Sequence, residues 1–175
     1  MIFVKIPGMG DDSIQTTGYD DGNWFVADSF SFGVEREMKE SGEKGGTADI
    51  NIGVGELQEC TISKSLDMAS TSLAQFAING NSPGTAEIDF VEVAAGDGVG
   101  RPLPYLKYKL DRCFIKSWST SGDADDRPTE EVAFYYNKIA SQYAEAKDGK
   151  ASPQSAVMSW DNTKHIKWDG HGIGF

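Results

Sequence analysis

The sequence predicts a mainly β fold, either a closed β-barrel or two packed antiparallel sheets, with one short α-helix and one long projecting loop. Apolar residues alternate with polar ones in at least six segments, which is the period of a half-buried strand. A single segment has the spacing of an amphipathic helix. Twenty glycines and six prolines divide the chain into short pieces, a pattern more typical of sheet proteins than of helical bundles.

The first predicted strands lie in the amino-terminal third of the chain. Ile2–Ile6 ends at a Pro-Gly pair, and the alternating run Trp24–Val34 is interrupted near Asp28. The segment between them, residues 8–23, is polar and glycine-bearing, so we expect a loop. Two further strands are predicted at Ala48–Val54 and Leu57–Leu66, because the first alternates cleanly and the second spaces its apolar residues along a strand.

The segment Glu35–Thr47 differs from its surroundings. Its sequence, EREMKESGEKGGT, is charged and glycine-rich and contains almost no apolar side chains. A segment of this composition cannot contribute to a core, so we expect it to project as a loop.

One helix is predicted at residues 70–79. Leu73, Phe76 and Ala77 follow the i, i+3, i+4 spacing of one helical face. Ser70 can cap the amino terminus, and Gly80 stands where helices usually end.

Strand patterns resume in the second half of the chain, at Ala86–Val93 and Leu103–Trp118. The segment Thr129–Ala146 fits both a period of 2 and a period of 3.6. We favour a strand because β-branched and aromatic residues lead the segment. The pair Asp148-Gly149 then follows as a hairpin signal leading into Val157–Trp160.

Composition excludes several classes of protein. The 16 basic and 27 acidic residues give a net charge of −11, which argues against a nucleic-acid partner, since such binding depends on cationic side chains. No apolar run approaches the ~18 residues of a membrane-spanning helix. The opening residues do not resemble a secretory signal peptide, so we expect folding to begin in the cytosol.

No catalytic, cofactor or metal site is predicted, and we expect the protein not to be an enzyme. Cys60 and Cys113 lie in apolar segments, which indicates buried, reduced thiols, and His165 and His171 lack zinc-site spacing from them. The glycine clusters lack the lysine and hydroxyl of a phosphate-binding loop. Adjacent carboxylates are better explained as solvated turn residues than as a glycosidase pair, and they occur at Asp11-Asp12, Asp20-Asp21, Asp125-Asp126 and Glu130-Glu131.

Two stretches resemble the haemolysin-coregulated protein (Hcp) family, the tube subunits of the type VI secretion system. In Cys60–Phe90 the matching positions are Lys64, Asp67, Ala69-Ser70, Leu73 and Gly80. In Tyr105–Tyr143 they are Glu131, Val132, Phe134, Lys138 and Ile139, and Ser159-Trp160-Asp161 resembles the closing motif of the family. The chain departs from the family at Thr71, where proline is frequent, and in a longer tail after Asp161.

The resemblance implies one barrel domain over residues 1–161 and a carboxy-terminal tail over residues 162–175. It also implies homohexameric rings that stack into a hollow tube and are secreted without a signal peptide to the extracellular space. The implied partners are further copies of the chain, the sheath and spike proteins of the system, and effector proteins in the lumen, with no nucleic acid and no membrane. The contact between subunits is predicted in the charged segment, at Glu35, Arg36, Glu37, Met38, Lys39, Glu40, Glu43 and Lys44.

Three other functions are compatible with the same sequence. A phage or phage-like tail-tube protein shares the architecture and differs in context. A carbohydrate-binding β-sandwich would use exposed tryptophans, and a small hydrolase would use a carboxylate pair that the motif search does not recognise.

Overall fold

The computed structural model describes residues 1–40, 50–94, 100–147, 150–153 and 155–175. Its elements in chain order are β1 (Ile2–Lys5), β2 (Trp24–Ala27), β3 (Ser29–Ser31), β4 (Val34–Glu40), β5 (Ile50–Leu57), β6 (Cys60–Ser65), α1 (Ser70–Asn79), β7 (Gly84–Ala94), β8 (Arg101–Ser121), β9 (Thr129–Lys147), β10 (Lys150–Pro153) and β11 (Met158–Asp161). The predicted fold class is therefore confirmed, and the ambiguous segment at 129–146 is a strand.

The main sheet is antiparallel and curled. Its strand order is β2-β1-β7-β8-β9-β6-β3, with β10 and β11 added along β9. The outermost strands β2 and β3 follow one another in the chain, and between them the Asp28 N–H donates to Ser63 O on β6 at 2.8 Å. The two ends of the sheet are thereby brought together around one core.

The core fills the inner face of this sheet. Fully buried side chains come from every long strand, among them Val4, Phe25, Ile62, Ile88, Leu110, Phe134 and Ile139. Where β7 pairs with β8, the register moves by one residue between Ala86↔Leu110 and Gly84↔Cys113. The extra residue forms a bulge with Arg112 at a φ of 52°. Because of this bulge, Leu110 and Cys113 both face the core although one has an even number and the other an odd one.

A second, smaller cluster of buried hydrophobic side chains covers part of the outer face of the sheet, the face opposite the main core. The loop at residues 8–23, expected to be polar, buries Ile14 and Tyr19 against Phe3, Trp24 and Val91. The ring of Tyr19 stacks on Phe3 with centroids 4.2 Å apart. The sheet is therefore covered on both faces near β1, β2 and β7.

Two local expectations need correction. Val34–Glu40 is a strand, β4, and not part of a loop, because it pairs with β5 in a separate two-stranded sheet. The helix has the predicted bounds and ends at Gly80 with a φ of 68°, but Ser70 is not its cap. The N-cap is Ala69, and the Ser70 hydroxyl bonds to other groups instead. The pair Asp148-Gly149 lies outside the described residues.

Candidate functional site

Five side chains form a buried ion cluster where α1 begins: Lys64, Asp67, Ser70, Trp118 and Glu130. The Lys64 ammonium is fully buried and lies 2.6 Å from Glu130 Oε1 and 2.7 Å from Asp67 Oδ1. The ammonium also donates to Ser65 O at 3.0 Å and to Ser70 Oγ at 3.2 Å. Four acceptors thus surround the three protons of one buried cation, which satisfies the requirement that a buried charge be paired.

The other polar atoms of the cluster are also partnered. Trp118 Nε1 donates to Glu130 Oε2 at 2.6 Å. Ser70 Oγ donates to Glu130 Oε1 at 2.9 Å and accepts from the Asp67 N–H at 2.9 Å. These bonds join α1 to strands β6, β8 and β9, so the cluster positions the helix on the sheet.

The structure brings together three residues that the family resemblance singled out, Lys64, Asp67 and Ser70. It places another of them, Glu131, on the exposed side of β9 and puts its neighbour Glu130 in the buried ion cluster. The interpretation of Glu130 as a solvated turn residue is therefore wrong, because Glu130 is a buried residue of β9, and sequence reasoning did not identify Trp118 as its partner.

One signal could have identified Glu130. On β6 Lys64 is in phase with the buried residues Cys60 and Ile62, and on β9 Glu130 is in phase with Val132 and Phe134. Lys64 and Glu130 stand directly opposite each other in the antiparallel register. Two opposite charges, each in phase with apolar neighbours, indicate a buried ion pair across the strands.

A second charged group lies on the outer face of the sheet. The Tyr19 hydroxyl donates to Asp89 Oδ2 at 2.9 Å, and Lys107 Nζ lies 3.5 Å from the same oxygen. Burial raises the pKa of the Asp89 carboxyl, while the Lys107 ammonium opposes that rise. Burial and the Asp89 charge raise the pKa of the Tyr19 phenol, so this hydroxyl stays protonated and donates.

The tail that follows β11 crosses this outer face. Asp161 Oδ1 accepts bonds from two backbone N–H groups and from the Thr163 hydroxyl, which lower the pKa of its carboxyl. Further along, Trp168 lies under Lys138 Nζ, 5.5 Å from the ring centroid, and Phe175 lies 5.4 Å from Lys107 Nζ. The tail therefore packs on the barrel rather than extending from it.

The paired strands β4 and β5 form a ribbon that is separate from the main sheet. Its register pairs Val34 with Leu57 and Met38 with Ile52. The apolar side chains of Val34, Met38 and Val54 are 59%, 67% and 69% exposed. A two-stranded ribbon with such side chains in water has little stability of its own.

The predicted contact residues lie on this ribbon as far as the structure describes them. Glu35, Arg36, Glu37, Met38, Lys39 and Glu40 belong to β4, whereas Glu43 and Lys44 lie outside the described residues. That these residues contact a neighbour stays a prediction.

A groove of about 520 Å³ opens at the foot of the ribbon. Its apolar lining includes Leu57, Phe134 and Tyr135, and the Tyr136 hydroxyl donates to Gln58 O at 2.7 Å. The exposed ion pair of Lys116 with Glu59 lies at its edge.

Metal and thiol chemistry find little support in the described part of the chain. There, no group of three or more His, Cys, Asp or Glu side chains is placed to hold a metal ion. Cys60 and Cys113 are free and buried, as predicted, and burial raises the pKa of each thiol to about 12. Across these same ranges, no helix has the length and hydropathy needed to cross a bilayer.

Comparisons with known proteins agree with the resemblance. The family model described as "Type VI secretion system effector, Hcp" matches residues 3–143. Solved structures with the same fold include a type six secretion system protein, with a TM-score of 0.78 and 22% identity over 95% of this chain and 98% of the other. Hcp1 from Salmonella typhimurium has a TM-score of 0.67 and 19% identity over 95% and 97%. The secreted protein Hcp3 from Pseudomonas aeruginosa has a TM-score of 0.61 and 17% identity over 92% and 99%.

A search of curated proteins found no match. The solved structures, all under 25% identical, support the fold, and the family model supports the assignment. Since that model spans residues 3–143 of 175, the chain belongs to the Hcp family of the type VI secretion system.

Proposed function

We propose that the protein is a tube subunit of a type VI secretion system. It closes into homohexameric rings, the rings stack into a hollow tube, and the tube is secreted with effector proteins in its lumen. Sheath and spike proteins are its other partners, and it has no enzymatic activity of its own. The observation that carries the proposal is the family match over residues 3–143, together with a ribbon that projects from the barrel.

The ribbon supplies a physical reason for assembly. A ring that closes by rotation needs two different patches on each subunit. The ribbon is one patch, because its exposed apolar side chains gain stability only by lying on a neighbour. Burying Met38 in such a contact contributes roughly 1.5–3 kcal/mol per interface.

The barrel supplies the rigidity that a stacked tube requires. The buried ion cluster fixes α1 against three strands, and the outer face is covered by the loop at 8–23 and by the tail. The buried charges are used for internal bonds, which suits a structural subunit better than a catalyst.

The test is the mass of the purified full-length chain by light scattering, with negative-stain electron microscopy. We expect a six-fold mass and ring-shaped particles. Assembly should strengthen as salt rises from low to moderate concentration, because subunits with a charge of −11 repel one another and salt screens that repulsion. A chain that stays monomeric at high concentration and moderate salt contradicts the proposal.

A further inference from the structure

We propose that residues 167–175 of the tail, here called the strap, release from the barrel as a unit, and that this release loosens the loop at residues 8–23 through one shared carboxylate, that of Asp89. The inference does not depend on assembly, because every group in it belongs to a single copy of the chain.

The chain is held firmly as far as Ile166 and weakly beyond it. The Asp161 N–H donates to Ile166 O at 2.9 Å, which closes a tight turn after β11. Within the described part of the chain, no hydrogen bond or ion pair joins the strap to the barrel, and the Ile173 N–H donates inside the strap, to His171 Nδ1 at 3.2 Å. A segment with so few bonds to its surroundings opens at a small fraction of the free energy of global unfolding.

Lysine side chains hold the strap against the sheet. The cation–π contacts of Trp168 and Phe175 lie near its two ends. Between them, a Cβ added to Gly172 would lie 3.5 Å from Lys109 Nζ. These contacts involve the ends of long, flexible side chains, so the strap can leave without breaking the ladder of the sheet.

The docked strap completes a small pocket beside Asp89. Residues 172–174 line a pocket of about 60 Å³ together with Asp89 and Lys107. The Asp89 side chain is only 7% exposed. Release of the strap removes part of this lining and therefore admits water to the carboxylate.

The same carboxylate holds the loop at residues 8–23. Asp89 Oδ2 accepts a hydrogen bond from the Tyr19 hydroxyl at 2.9 Å. Lys107 Nζ lies 3.5 Å from that oxygen and also lies over the ring of Phe175 in the strap. One carboxylate therefore joins the loop to the strap, through Tyr19 on one side and Lys107 on the other.

Water decides the direction of the coupling. A hydrogen bond shielded from water is stronger than an exposed one, so the bond from Tyr19 to Asp89 is stronger when the strap is docked. Once the strap is released, water competes for Asp89 Oδ2 and the loop loosens. Coupling between two sites is reciprocal. Removing the Tyr19 hydroxyl should therefore favour release, because a carboxylate that has lost a donor is better solvated when the pocket is open.

Amide hydrogen exchange of the full-length chain tests the proposal. The Tyr19 N–H, which donates to Thr16 O at 2.8 Å, reports on the loop. The Ile173 N–H reports on the strap, and the amides of β6 report on the barrel. All samples are kept in one oligomeric state, which light scattering checks.

Variants open the strap or the loop separately. Deleting residues 167–175 should raise the exchange rate of the Tyr19 amide about fivefold, the low end of typical couplings between sites. Phe175→Ala keeps the strap but removes its ring from Lys107, and it should act in the same direction. Tyr19→Phe should raise the exchange rate of the Ile173 amide. The matched control is Lys167→Ala, which changes an exposed residue of the strap and should alter neither rate.

The deletion in the Tyr19→Phe background shows whether the effect passes through Asp89. There it should accelerate exchange in the loop no further, because the bond to Asp89 is already absent. Equal acceleration in both backgrounds, no acceleration in either, or an equal rise at the amides of β6 would each overturn the coupling. In the full-length chain, an Ile173 amide that exchanges as slowly as the amides of β6 would overturn the release of the strap as a unit.

Discussion

Replacing Lys64 by methionine tests the role of the buried ion cluster. Methionine keeps most of the apolar stem and removes the ammonium, so Glu130 and Asp67 lose the cation 2.6 Å and 2.7 Å away. Removing one partner of a buried pair typically costs about 3–5 kcal/mol, because the other charge remains desolvated. For a domain of this size each kcal/mol lowers Tm by about 2–4 °C, so we expect Tm to fall by about 6–20 °C.

The assay is urea unfolding followed by far-ultraviolet circular dichroism, with tryptophan fluorescence as a second probe. Trp118 is one of four tryptophans and donates to Glu130, so part of the fluorescence signal comes from the cluster. The matched control is Lys116→Met, which removes an exposed partner of Glu59 and should cost no more than about 1 kcal/mol. The pair Lys64→Met with Glu130→Gln removes both charges and should cost clearly less than the sum of the single variants.

Two results would refute this reasoning. If Lys64→Met lost no more stability than Lys116→Met, the buried ammonium would not be paired as the structure indicates. If the losses of the double variant were simply additive, Lys64 and Glu130 would not be coupled across the strands.

Three other predictions concern the outer parts of the barrel. Because burial raises the pKa of Asp89, its charged form opposes folding, so the unsubstituted chain should gain stability relative to Asp89→Asn as pH falls from 7 toward 4. Urea unfolding of both chains at each pH measures this difference in stability, and a difference that shrinks as pH falls contradicts the prediction. Arg112 has a φ of 52°, which suits glycine and strains a β-branched residue, so the free energy of unfolding of Arg112→Val should be lower than that of Arg112→Gly by more than about 1 kcal/mol. Urea unfolding measures both values, and equal values would argue against the bulge. Deleting residues 167–175 removes two cation–π contacts of about 0.5–1 kcal/mol each, so the shortened chain should still unfold cooperatively, with a Tm lower by a few degrees. A thermal melt checks this, and loss of the unfolding transition would mean that the tail is part of the core.

Local sequence patterns were sufficient for the helix and most strands. Residues 70–79 combine helical spacing with Gly80, whose φ of 68° ends the helix as expected. The same alternation that places Ile62 and Ile88 in the core is visible in the sequence before any partner strand is known. These features depend on neighbours within one turn or one strand, so a single stretch of chain specifies them.

Other features depended on distant partners. Glu35–Glu40 looks like a loop by composition, yet it is a strand because β5 offers it a ladder of backbone groups. The polar segment at 8–23 buries Tyr19 because Asp89, 70 residues later, accepts its hydroxyl bond. A capping role for Ser70 was wrong, since its hydroxyl bonds to Glu130, 60 residues away.

The sequence by itself determined a mainly β barrel with one helix, an acidic chain, buried thiols and a family resemblance. The tertiary structure decided which side chains share a face: that Glu130, and not Glu131, meets Lys64, and that Met38 and Val54 lie on opposite sides of the ribbon. The physical reason is that alternation along a strand specifies two faces without saying which way each one points. Strand register settles that direction, and register depends on pairing between residues far apart in the chain.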